Sequence, residues 1–129
     1  MKSKIDHEGK YLMKQPTHNY CWFGGNTETI DIRMLDENHS PEDLTGATAE
    51  LGIKMKLDDP TYVYHATVNV QGDDNNEFLF IVPENITESL VPENSSQAYY
   101  QYALDILDNN LNNTTVLTGR IIIKKNVLS

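Results

Sequence analysis

At 129 residues and 14.7 kDa, the chain is one domain by length, long enough to bury a core without disulfides. A formal net charge of −9 argues against a nucleic-acid partner, which needs a basic stripe to displace counterions. No stretch approaches the ~20 apolar residues of a membrane span, the N-terminus lacks a signal peptide's apolar core, and the single cysteine, Cys21, excludes an internal disulfide framework. These features predict a soluble domain made in a cytosol.

The charge is uneven. Residues 1–23 hold Lys2, Lys4, Lys10 and Lys14 against Asp6 and Glu8, a net of +2, so residues 24–129 carry −11. A basic arm on an acidic body can steer docking onto acidic neighbours, other copies of the chain included. Residues 1–17 show no clean period. Lys10–Lys14 reads as a short edge strand ended by Gln15-Pro16, since proline cannot donate to a ladder. The reading is therefore an extended arm over 1–23 and a folded domain over 24–129. Tyr20-Cys21-Trp22-Phe23 is a dense apolar run before Gly24-Gly25. It is either a buried strand or a docking plug, with Cys21 and Trp22 expected in the core in the first case. On the docking reading, the candidate contact residues are Lys4, Lys10, Tyr11, Met13, Lys14, Trp22 and Phe23.

From Glu28 to Leu35 the apolar residues fall at every second position, Ile30, Ile32 and Met34, which is the period of a strand with one dry face. A polar link with Pro41 follows. The longest alternation comes next, with Ala47, Ala49, Leu51, Ile53, Met55 and Leu57 on one face and Thr48, Glu50, Gly52, Lys54 and Lys56 on the other. Asp58-Asp59-Pro60 turns the chain, and Thr61–Val70 reads as a strand with Tyr62, Tyr64, Ala66, Val68 and Val70 inward. The Gly/Asp/Asn run 71–76 is a turn. Glu77–Val82 is continuously apolar, which predicts a central strand covered on both sides.

Pro83-Glu84 favours a first helical turn, so one short helix over 84–90 is expected, with Ile86 and Leu90 closing the open end of the layers. Gln97–Leu107 alternates with Tyr100, Tyr102, Leu104 and Ile106 inward. A second turn at 108–113 leads to the β-branched strand Thr114–Lys124, whose terminal lysines suit an exposed edge. Seven or eight short strands at roughly ten-residue spacing predict an all-β, antiparallel immunoglobulin-like sandwich, with a jelly roll second.

No nucleotide loop, serine elbow or zinc spacing occurs. His7, His18, His39 and His65 are scattered, and the Asp58-Asp59 and Asp73-Asp74 pairs match no calcium loop. No nucleophile–base pair can be named, so the expectation is a chain without catalytic residues, cofactor or metal.

Four stretches carry a resemblance. Asp43-Leu44-Thr45-Gly46-Ala47-Thr48-Ala49 precedes the long strand. Asn76–Val82 runs into Pro83-Glu84-Asn85-Ile86-Thr87. Gln97–Ile106 contains Tyr-x-Tyr-x-Leu-x-Ile, and Leu117-Thr118-Gly119-Arg120-Ile121-Ile122-Ile123 closes the chain. In this order, over about residues 26–127, they resemble bacteriophage structural β-sandwich proteins, namely the N-terminal domain of baseplate upper proteins and related tail and fibre modules. Residues 1–25 and Asn94-Ser95-Ser96 depart from that pattern. The resemblance implies a virion component made in the host bacterial cytoplasm. It would act by docking onto other virion proteins and copies of itself, without nucleic acid or membrane. The alternative expectation is a phage-borne carbohydrate or host-surface binding module presenting Tyr11, Tyr62 or Tyr99.

Overall fold

The computed structural model describes residues 4–7, 10–13, 17–56 and 58–126, the first two stretches by backbone alone. Nine strands and one helix occur among them: β1 (Lys4–His7), β2 (Lys10–Met13), β3 (Tyr20–Phe23), β4 (Glu28–Leu35), β5 (Thr48–Lys54), β6 (Tyr64–Asn69), β7 (Glu77–Val82), α1 (Glu84–Ser89), β8 (Gln97–Leu107) and β9 (Asn113–Lys124). They form a four-stranded sheet in the order β2-β1-β4-β7 and a five-stranded sheet in the order β3-β9-β8-β5-β6.

Alternation builds the core between the sheets. Ile30, Ile32 and Met34 on β4 and Phe78, Phe80 and Val82 on β7 meet Ala49, Leu51 and Ile53 on β5 and Tyr102 and Leu104 on β8; all are buried. Each strand gives up one face to the other layer and leaves its polar phase outside.

The division of strands is that of an immunoglobulin-like sandwich. The chain crosses from β7 in one sheet, through α1, to β8 in the other. At that corner the Tyr100 hydroxyl donates to the Leu90 carbonyl ten residues upstream, the tyrosine tie of this fold class. Two residues further on, where antibody domains place a disulfide cysteine, stands the fully buried Tyr102. Leu90 is buried and Ile86 packs on the core, so α1 closes the open end as its spacing predicts. Thr87 fastens the helix: its hydroxyl donates to Asn26 O at 2.7 Å and accepts from the Gly25 N–H at 3.0 Å.

Several expectations need correction. The sheets are not wholly antiparallel, because β3 pairs parallel with β9, Cys21 opposite Ile122. Tyr20 and Trp22 are core residues, and β1 and β2 belong to the four-stranded sheet, so the sandwich draws on the segment 1–23 and does not start at residue 24. β9 lies between β3 and β8 and is not an edge. β7 is an edge rather than a central strand, and nothing among the described residues covers Ile81 on its outer face. β5 ends at Lys54, three residues before the alternation does, which leaves Met55 exposed; Leu57 lies outside the described residues. Cys21 is exposed, since the inward phase of β3 belongs to Tyr20 and Trp22.

Candidate docking face

The outward phase of the five-stranded sheet can be read from its register. Cys21, Ile122 and Tyr99 form one row across β3, β9 and β8. Arg120, Gln101 and Lys54 form the next across β9, β8 and β5. Phe23, Lys124 and Gln97 form the row nearest the sheet's lower end. Phe23 is 45% exposed and Tyr99 52%. The result is a contiguous band of apolar surface set among three cations, with no carboxylate at any of these positions. Glu28 stands at its rim, where it accepts the Phe23 N–H at 3.1 Å. Phe23, Lys124 and Lys125 also line a depression of about 640 Å³ beside the band.

Tyr62 extends this surface toward β6. It was expected inward, but β6 starts only at Tyr64, and the Tyr62 ring folds back over Gly52, 48% exposed. A Cβ on Gly52 would stand 2.3 Å from Cε1 of that ring, so the missing side chain makes the seat. Lys54 Nζ sits 4.8 Å from the ring centroid and donates to Asp59 O at 2.8 Å. His65 lies beside the ring, centroid to centroid 4.8 Å, and its Nε2 is 2.8 Å from Glu50 Oε1.

The opposite end of the sandwich is acidic. Loops 36–47, 70–76 and 108–112 meet there: the Leu44 N–H donates to Asn75 O at 2.8 Å, and Gly46 packs on Asn109. They carry Asp36, Glu37, Glu42, Asp43, Asp73, Asp74 and Asp108, and neither lysine nor arginine. Two of these carboxylates organise their own loops. Asp108 accepts the Asn112 and Asn110 amides, both at 2.9 Å; the Asn112 bond chiefly holds its carboxyl below the ordinary carboxylate range. Asp43 is lowered likewise, first by the Thr45 hydroxyl and then by the Thr45 amide. No group of three or more His, Cys, Asp or Glu residues able to hold a metal occurs among the described residues.

The predicted contact residues scatter. Trp22 is 3% exposed and belongs to the core, because β3 pairs into the sheet and turns that side chain inward. Phe23, its neighbour, points outward into the band. Lys4, Lys10, Tyr11 and Met13 lie on β1 and β2, but their side chains are outside the described residues, as is all of Lys14. Sequence reasoning missed Ile122 and Arg120, and offered Tyr99 only as an aromatic for saccharide binding and Lys124 only as an edge lysine. The signal was present in two places, Ile121-Ile122-Ile123 and Tyr99-Tyr100, where apolar residues occupy both phases of a strand and so one must face out.

No family model matches the sequence, and no curated protein matches it. A solved structure of a family 123 glycoside hydrolase from Clostridium perfringens, described for glycolipid glycan hydrolysis, resembles the chain at a TM-score of 0.43 and 11% identity. The likeness covers 98% of this chain, which spans only 28% of the hydrolase's length. This neighbour is an enzyme, so the expectation of a chain with no enzymatic role is withdrawn and nothing is put in its place. At that identity and TM-score, no substrate, residue or mechanism passes from the hydrolase to this chain.

Proposed function

We propose that the chain is a structural component of a tailed bacteriophage virion, in the tail, baseplate or neck or on the capsid, acting by docking onto other virion proteins and onto copies of itself. The observation that carries this reading is how the N-terminal segment joins the sandwich. Residues Lys4–His7 add to the edge of β4 as an antiparallel ladder, Ile5 opposite Met34, and Lys10–Met13 add outside them, Leu12 opposite Ile5. The segment is thus attached by main-chain pairing at a sheet edge. Such pairing is available to any chain that presents an open edge, a neighbouring subunit's included. The net charge of +2 on residues 1–23 favours approach to the acidic bodies of other copies. The four stretches that resemble baseplate and tail modules support the same reading.

A lasting joint of this kind needs on the order of 1,000 Å² of buried surface, and repeated copies multiply weak contacts. Because the buried side chains among the described residues begin at Tyr20, deletion of residues 1–16 is expected to leave a folded domain with a cooperative melt that no longer enters assembled particles. The truncated gene replaced into a phage, with purified particles probed for the chain, checks this. Incorporation at the full-length level overturns the role of the segment.

A further inference from the structure

We propose that the band on the five-stranded sheet receives the acidic loop end of a second copy of this chain, giving a head-to-tail, open-ended assembly. The inference rests on the docking reading above and names its self-contact. Beyond residue 23 the chain has six lysines and arginines, Arg33, Lys54, Lys56, Arg120, Lys124 and Lys125. Arg33 is engaged by Glu77 at 3.3 Å. The other five gather toward one end of the five-stranded sheet, where Lys54 lies in register with Gln101 and Arg120, and Lys124 with Gln97. At the other end stand Thr48, Leu107 and Asn113, and beyond them the loops that hold seven acidic residues and neither lysine nor arginine. One molecule therefore presents complementary charge at two separated places.

Charge also decides the symmetry. A two-fold contact of the band with itself would set Lys54, Arg120 and Lys124 against their own copies, with no carboxylate in the band to offset them. Like charges so juxtaposed oppose the contact. Band against acidic end has no such cost, and because the two surfaces differ, the contact is heterologous and yields rings or filaments. The apolar parts match as well. Leu111, 79% exposed, projects from the 108–112 loop among the carboxylates, and Phe23, Cys21, Ile122 and Tyr99 give it an apolar floor.

Sedimentation velocity of the full chain tests this. At low salt the wild type is expected to form species larger than a dimer, and high salt should dissolve them, because exposed charge pairs are screened beyond ~10 Å at about 0.1 M. The double variant Arg120→Glu/Lys124→Glu makes the band acidic, and Glu37→Lys/Asp73→Lys removes much of the loop end's negative charge. Each alone is expected to weaken association by roughly 100-fold, with melting temperatures confirming the fold. In an equimolar mixture the unchanged loop end of the first variant meets the unchanged band of the second, so a one-to-one complex that grows no further is expected. A wild type monomeric at low salt up to about 1 mM, or a mixture that fails to associate while both variants are folded, overturns the proposal. A chain that stays monomeric yet is built into particles ends the self-contact alone; one that associates as predicted but is absent from particles ends the virion reading alone.

Discussion

Gly119→Ala is expected to destabilise the domain by about 3 kcal/mol or more, although it adds a single methyl group. Gly119 pairs with Tyr102 across β8 and β9. The space over it is filled by the main chain of His18, whose carbonyl oxygen would stand 2.0 Å from an alanine Cβ and whose carbonyl carbon 2.7 Å. Backbone, unlike a long side chain, cannot swing aside. The displacement would break what the close approach permits. The Tyr102 hydroxyl donates to that same carbonyl at 2.5 Å, the His18 N–H donates to Thr118 O at 2.8 Å, and the Arg120 N–H donates to Asn19 Oδ1 at 2.9 Å. Burial pushes the Tyr102 phenol well above its ordinary range, so it stays protonated and a donor at every physiological pH. Losing its acceptor strands a buried hydroxyl. Thermal unfolding should fall by on the order of 10 °C, with faster hydrogen exchange over Tyr20–Phe23. A melt within a degree or two of wild type would show that residues 17–19 are not seated on β9.

Trp22→Ala is expected to cost about 3–5 kcal/mol, the usual range for truncating a buried aromatic. Trp22 sits in the inward phase of β3 with Tyr20, ring centroids 5.7 Å apart, and Tyr20 in turn lies 5.5 Å from Tyr102. Truncation removes the largest side chain that β3 gives the core and leaves a cavity where the strand is held to its sheet by parallel pairing with β9 alone. The neighbouring Phe23→Ser is the internal control. Its ring faces solvent, and its loss should change stability by no more than about 0.5 kcal/mol. Chemical denaturation of both variants reads the difference. Equal effects, or a larger one at Phe23, would reverse the facing of β3.

Much of the fold was legible because period two survives wherever one face is buried. Ile30, Ile32 and Met34, or Tyr100, Tyr102 and Leu104, announce both a strand and its dry side. What failed did so for reasons outside the local pattern. Glu77–Val82 looks covered on both sides because Ile81 is as apolar as Phe80, and only the missing layer outside the four-stranded sheet exposes it. The early end of β5 and the fold-back of Tyr62 over Gly52 depend on the meeting of two strands. The parallel seat of β3 joins residues about a hundred apart, and no window of sequence contains it. The candidate docking face was illegible for the same reason. Phe23, Tyr99 and Arg120 become neighbours only through register, and an exposed Ile122 cannot be told from a buried Ile121 until the strand's partners are known.

The proposed function has this sandwich held by other proteins in a particle. Quantitative mass spectrometry of purified phage particles from a host expressing the chain tests it most directly. The chain is expected among the virion proteins, in several copies per particle and retained through salt washes. Its absence from particles, with the free protein instead held on an array of bacterial surface glycans through Tyr62, would contradict the claim and transfer the case to saccharide recognition.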